Sequence, residues 1–391
     1  MNRCLPDDPD RAVLVGRIWR EDVNGPSVVV VRDGAIVDIT AAVSTMSDLL
    51  EMTAPAAFAC QATGSVLGPV ASFMTGSLKN GSARLLAPCD LQAIKACGVT
   101  FAVSLVERLI EEQAGGKPEQ AEKIRDDIAR LIGSDLSQVA PGSAAAMQLK
   151  AVLLERGAWS QYMEVGLGAD AEVFTKAQPM SAVGFGADVG IAHDSTWNNP
   201  EPEIVLAVNS RGEIVGATLG NDLNLRDIEG RSALLLGKAK DNNASCAIGP
   251  FIRLFDRYFD LDAVRTAAVS LRIDGADDGF VLEAQSRMSE ISRDPLDLVR
   301  HTWGAHHQYP DGFMLFLGTM FSPVQDRGAK GGGFTHHLGD RVTIATPALG
   351  ALINHVQRSE TVAPWIFGVR ALYRNLAERG LGHLSSKGML Q

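Results

Sequence analysis

Two glutamates one residue apart, Glu201-Pro202-Glu203, stand just before an apolar run at 204–208, and Asp222 closes the next apolar run. Side chains of an extended strand alternate, so Glu201 and Glu203 project to one face. Two carboxylates held this close repel each other unless a hard cation or a proton sits between them. The stretches 203–208 and 213–219, joined through Ser210-Arg211-Gly212, read as a hairpin whose second strand returns Asp222 to the pair. Three oxygen ligands with open positions suit Mg²⁺, and equally Mn²⁺, which fill an octahedron with water or substrate oxygens. Such an ion polarises carbonyl and carboxylate groups. An isolated Glu-x-Glu is more often a pair of solvated strand-end charges. The company of Asn221, Arg226, Asp227 and Lys240 favours the metal reading here.

Other chemistry-bearing residues give weaker signals. His306-His307 and His336-His337 are adjacent pairs, and neighbouring strand side chains point apart, so neither pair chelates one ion by itself. Structural or loop roles fit them better, with His307 or His336 as the members to watch for a pocket role. The run Ala329-Lys330-Gly331-Gly332-Gly333 lacks the order of a phosphate loop and reads as a mobile loop. Glycines at 184–186 are equally weak as a nucleotide signal. Five cysteines form no CxxC pair and are odd in number, which favours reduced thiols over a disulfide framework or a zinc ribbon.

The elements that must position these residues read as α+β. Strands are predicted at 12–19, 27–31 and 35–39, with a turn at Asp33-Gly34, and a short helix at 46–52. Residues 53–85, rich in Gly, Ala and Ser, read as a connection, so a small β-rich unit spans 1–85. From 104 to 153 the spacing is helical, carried by Val106, Leu109 and Ile110 and then by Ile124, Ile128 and Leu131. Strands dominate after Trp159, including 266–273, 313–319 and 341–346. This order does not alternate as a βαβ chain does. The 391 residues are 46% hydrophobic and carry a net charge of −10. A globular protein of two unequal domains follows, with no basic face for nucleic acid. No run of 18 apolar residues would span a membrane, and the acidic opening MNRCLPDDPD is unlike a signal peptide. A cytoplasmic protein is expected.

The run 193–250 resembles the fumarylacetoacetate hydrolase superfamily, whose metal site is an E-x-E pair plus the Asp of a G-N-D-x-x-x-R-D segment. Here these are Glu201, Glu203 and Gly220-Asn221-Asp222 followed by Arg226-Asp227. Lys240 precedes Gly249-Pro250 at the family's distance, and Glu172 to Lys176, Gly318-Thr319 and Gly339-Asp340-Arg341-Val342 match in order. The resemblance covers roughly 85–375. It implies a mixed β-sandwich roll, a catalytic domain at 86–391, and a homodimer or homotetramer. Over nearly its full length the chain is also similar to bacterial dehydratases of 2-keto-3-deoxy-D-xylonate (2-keto-3-deoxy-D-arabinonate). That likeness runs through GVTFAVS, WNNPEPE, GRSALLLGKAKDNNASCAIGP and HQYPDGF. It implies a small 2-keto-3-deoxy sugar acid as substrate, in non-phosphorylative pentose catabolism.

One departure favours dehydration over hydrolysis. Superfamily hydrolases carry G-x-N-Y-x-x-H-x-x-E, whose histidine activates water, but here the stretch from Gly98 to Glu107 places Ser104 at the histidine. A hydroxyl is a far poorer base than imidazole. Glu107, without a histidine to orient, reads as a helix charge. The resemblance then implies Glu172 and Lys240 as base and acid, with Ser104, Arg226, Lys240 and Thr319 as substrate contacts. Bland alternatives are a surface strand residue at 172, a salt-bridging Lys240, an Arg226 that braces Asp222, a helix-start spacer at 104 and a strand end at 319. Two other functions stay open: a hydrolase of 2,4-diketo-3-deoxy acids that releases pyruvate, and a catalytically silent binding protein.

Overall fold

The computed structural model describes residues 4–78, 83–115, 117, 120, 124, 139–155, 159–328 and 333–381. Its first strands are β1 (Leu14–Arg20), β2 (Gly25–Arg32), β3 (Ala35–Asp38), β4 (Ser65–Pro69) and β5 (Arg84–Leu86). The turn between β2 and β3 is Asp33-Gly34, with φ of 49° and 72°, the left-handed pair that a two-residue hairpin requires. The stretch 53–85 is a correction to expectation, since it holds helices Pro55–Gln61 and Val70–Leu78 besides β4 and β5. Its alanines lack periodic contrast yet favour helix strongly, and Pro55 is preorganised for a helix's first position. The expected helix positions Ile128 and Leu131, and 329–332 of the glycine-rich loop, lie outside the described residues.

Downstream come β6 (Ala93–Gly98), β7 (Glu172–Ala177), β8 (Asp188–Ile191), β9 (Pro202–Val208), β10 (Ile214–Asp222) and β11 (Cys246–Leu254). They are followed by β12 (Ala268–Asp274), β13 (Val281–Arg287), β14 (Phe313–Phe316), β15 (Arg341–Thr346) and β16 (Gly350–Arg358). One sheet runs β4-β3-β2-β1-β11-β10-β9-β14-β6-β7, with β5 also on β1; a second runs β13-β12-β15-β16-β8. Both are mixed, with parallel pairings at β14–β6 and β16–β8. The N-terminal strands share the large sheet with the rest, because β1 pairs with β11 through Leu14↔Arg253 and Val15↔Ile252.

Central strand β9 is buried along its whole length. Ile204, Leu206 and Val208 enter the core that also holds Val269, Leu271, Ile344 and Leu352 of the second sheet. Val205 and Ala207 face the other way, into a cluster with Met46, Leu49, Ile248 and Phe316. The alternation puts Glu201 and Glu203 on the Val205 side. Opposite Glu203 in the ladder stands Gly220, where a Cβ would lie 2.3 Å from Phe316. Among the described residues no helix is long and apolar enough to cross a membrane.

Candidate metal and active site

Glu201, Glu203 and Asp222 each offer a carboxylate oxygen within 4.8 Å of the others, and all three residues are buried. The hairpin causes this convergence. Gly220 pairs with Glu203 and Asn221 with Pro202, and Asp222 donates its N–H to the Glu201 carbonyl at 3.0 Å. Asn221 accepts the Glu201 N–H at 3.1 Å, so side chain and backbone together fix the strand mouth.

Cations reach two of the three acids. Lys240, closing helix Leu236–Lys240, donates to Glu201 and, at 3.3 Å, to Asp222. Lys176 faces the other Asp222 oxygen at 2.9 Å, and Arg108 donates to Glu201 at 2.7 Å. Burial alone would raise the Glu201 carboxyl, but Lys240 and Arg108 outweigh it and hold it at about 2. Glu203 differs. Its donors are the Gly318 N–H at 2.6 Å and the Thr319 hydroxyl at 3.3 Å, with no ion pair to a cation among the described residues. Burial, reinforced by Asp222 and Glu201, pushes it well above the usual carboxylate range. A buried acid short of positive charge beside two others is what a hard divalent ion relieves, and three carboxylates are the donor set that Mg²⁺ or Mn²⁺ takes. The residues fit the ion.

Glu201 and Asp222 of the trio line a narrow cleft together with Gly98, Ser104, Glu107, Arg108, Glu172, Glu229, Lys240 and Thr319. Glu172 opens β7 directly across from Gly98. Burial raises its carboxyl in spite of Arg108 and Lys240, so it holds a proton more readily than an ordinary glutamate.

The sequence profile of the fumarylacetoacetate (FAA) hydrolase C-terminal domain matches residues 168–357, which bracket the trio, Glu172, Lys240 and Thr319. This stretch, just under half of the chain, is similar to fumarylacetoacetate hydrolases. Relatives include a probable 2-keto-3-deoxyxylonate dehydratase of Haloferax volcanii, 33% identical over 195 residues, which are 50% of this chain and 63% of the relative. A 2-dehydro-3-deoxy-D-arabinonate dehydratase of Saccharolobus solfataricus is 30% identical over 195 residues, 49% of this chain and 60% of the relative. The chain thus matches less than two thirds of either relative's length. A solved 2-keto-3-deoxy-D-arabinonate dehydratase in its apo form superposes with a TM-score of 0.60 at 20% identity, covering 88% of this chain and 99% of that one. The same enzyme with magnesium and 2,5-dioxopentanoate gives 0.59 at 20% identity over the same shares. A fumarylacetoacetate hydrolase of Exiguobacterium antarcticum gives 0.55 at 14% identity, covering 89% and 100%. At these identities the likeness establishes the shared fold.

Within the matched stretch and the helix Ala102–Gln113, other expected residues fall in unequal places. Thr319 and Lys240 line the cleft, as does Ser104, whose hydroxyl donates to its own helix start at the Phe101 carbonyl, 2.9 Å away. Arg226 does not line it. It has no ion pair to Asp222 among the described residues; it stacks 4.5 Å over Trp197 and donates to Glu111 at 2.7 Å, Glu107 at 3.2 Å and the Pro323 carbonyl at 3.3 Å. Its guanidinium is spent on latching helix Ala102–Gln113. Glu107, expected as a lone helix charge, is therefore paired. Sequence reasoning missed Arg108, Glu111 and Glu229, which come together because Arg108 donates to Glu111 at 2.7 Å and also to Glu229. Helical spacing of Glu107, Arg108 and Glu111 along one face was the available signal.

The histidines stand elsewhere. His336 is buried against Asp340 at 3.0 Å, while its neighbour His337 turns to Asp277 at 3.0 Å, as adjacent side chains should. His306 and His307 are exposed. Asp277, Asp278 and His337 form a second close acidic group, but Arg327 reaches 2.8 Å from Asp278 and 3.7 Å from Asp277 and already supplies a cation.

Proposed function

We propose that this protein is a hydro-lyase that removes water from a 2-keto-3-deoxypentonate, the D-xylonate/D-arabinonate compound, giving 2,5-dioxopentanoate, with Mg²⁺ or Mn²⁺ held by Glu201, Glu203 and Asp222. The observation that carries it is Glu203, a buried acid with no ion pair to a cation among the described residues, set beside Glu201 and Asp222, which line a cleft together with Glu172. The names of the two relatives support the substrate class. A bound divalent ion supplies Lewis acidity toward the carboxylate and 2-keto oxygen of a 2-keto acid, which acidifies the protons on C3. Glu172 stands ready as the base that takes one, since a carboxyl of raised proton affinity works near neutrality. Lys240 orients Glu201 and Asp222 and helps keep Glu201 ionised. Thr319 holds Glu203 and presents its hydroxyl to the cleft. Helix Ala102–Gln113 covers the site and excludes water. Loss of the C4 hydroxyl, then of a C5 proton, and tautomerisation complete the change to the semialdehyde.

Ser104 supports elimination over water attack, because its hydroxyl is committed to Phe101 and no histidine lines the cleft among the described residues. The test is to incubate purified protein and Mg²⁺ with 2-keto-3-deoxy-D-xylonate and follow semialdehyde through a coupled aldehyde dehydrogenase. Semialdehyde in step with substrate loss is expected. Pyruvate released from a 2,4-diketo-3-deoxy acid would show a carbon–carbon hydrolase instead, and tight Mg²⁺ binding without either product would show a silent binder.

A further inference from the structure

Dehydration needs a proton for the departing C4 oxygen, and the motif residues do not offer a good donor. Lys240 is buried, but Asp222, Glu201 and Glu229 outweigh that burial and raise its proton affinity, so its ammonium is locked. Glu229 is better placed. It ends helix Arg226–Glu229, is 4% exposed, and lines the same cleft as Glu172, Lys240 and Thr319. Oε2 accepts from Arg108, while Oε1 has no hydrogen-bond partner among the described residues. One oxygen is anchored and the other is available to a ligand.

We infer that Glu229 is the general acid of this reaction, handing its proton to the C4 hydroxyl as the C4–O bond breaks; the inference rests on the dehydratase reading above. Glu172 accepts a C3 proton and the C3–H electron pair is held in the enolate of the 2-keto group; that pair then forms the C3=C4 double bond as the C4–O pair leaves with the Glu229 proton as water. No oxidant or reductant enters. The groups that face Glu229 are Arg108 and Glu111 of helix Ala102–Gln113, Tyr162 of helix Gln161–Leu167, Glu201 and Lys240. Burial, with Glu201 and Glu111, overcomes Arg108 and Lys240 and lifts its carboxyl to about 7. A sizeable protonated share near neutrality is what an acid catalyst needs. Arg108 fixes the carboxyl's direction.

The experiment compares wild type with Glu229→Gln in D₂O with Mg²⁺, reading hydrogen exchange at C3 and semialdehyde formation separately. The variant is expected to exchange C3 hydrogens while forming semialdehyde about 100-fold or more slowly, the usual scale for one lost proton transfer. On a substrate with fluoride in place of the C4 hydroxyl, a leaving group that needs less protonation, the variant should approach the wild-type rate. Semialdehyde formation close to wild type would overturn the inference, and so would loss of C3 exchange together with elimination, which marks a structural role. Equal slowing on the fluoride would overturn it too. A wild type that forms no semialdehyde and exchanges no C3 hydrogen would instead sink the dehydratase reading on which it stands.

Discussion

Gly98 and Glu172 are cross-strand partners on β6 and β7, and a Cβ at position 98 would sit 1.8 Å from Glu172 Oε2. Space for the carboxylate, not backbone freedom, is what the glycine provides, since its φ is not among the positive values. The clash falls on the end of a flexible side chain, so the fold can yield by moving Glu172. Gly98→Ala is therefore expected to fold, to bind Mg²⁺ as the parent does, and to turn over about 100-fold more slowly, the scale of a misplaced catalytic group. Steady-state kinetics beside calorimetric Mg²⁺ titration measure both. Undiminished turnover would remove Glu172 from the base's role.

Arg226 holds helix Ala102–Gln113 from below through Glu107 and Glu111. Arg226→Met keeps the bulk over Trp197 but leaves those carboxylates short of a partner, and breaking one side of a buried charged network costs roughly 3 kcal/mol. Faster amide exchange across 102–113 is expected, with Mg²⁺ affinity retained because Asp222 does not touch the guanidinium. Unchanged exchange in that helix would refute the latch.

How much of this was legible in the sequence follows from the range of the interactions. Glu201, Glu203 and Asp222 could be read because a two-residue alternation and one hairpin fix them locally, and the hairpin boundaries shifted only slightly, to Pro202–Val208 and Ile214–Asp222. Strand Arg341–Thr346 falls where its pattern put it. Glu229 was overlooked because it ends a helix of four residues, Arg226–Glu229, too short for any periodic signal. Its partner Arg108 arrives from a separate helix, and neither residue names the other by spacing. Arg226 carried the right motif, yet its contacts are set by Trp197 and two distant glutamates. The helix at Pro55–Gln61 was missed because an alanine-rich segment shows no contrast between faces, and Val70–Leu78 because small residues interrupt its apolar ones.

Glu203→Gln should separate stability from function. A neutral amide removes the repulsion that Asp222 and Glu201 exert on Glu203, so in EDTA the variant is expected to melt higher than wild type. It also loses a charged ligand. Wild type should gain about 2.7 kcal/mol at Mg²⁺ a hundredfold above its Kd, while the variant gains little and loses most turnover. Thermal melts with EDTA and with Mg²⁺ test this, and an equal Mg²⁺ gain in both proteins would place the ion elsewhere.

The Glu229 carboxyl gives a pH dependence whose sign is fixed. Its ordinary value is 4.5 and its folded value about 7, so between those two the native state keeps a proton that the unfolded chain has released. Stability from this group is complete below about 4.5, declines as pH rises, and is gone above about 7. At about 1.4 kcal/mol per pH unit the swing is at most roughly 3 kcal/mol. Glu229→Gln cannot ionise, so relative to wild type it should gain stability between pH 5 and pH 8, by about 2 to 3 kcal/mol. Urea unfolding of both proteins in EDTA across that range measures the difference, in which every other titrating group cancels to first order. Parallel curves would mean that Glu229 is ionised throughout, and a carboxylate already ionised at neutral pH has no proton to give a departing hydroxyl.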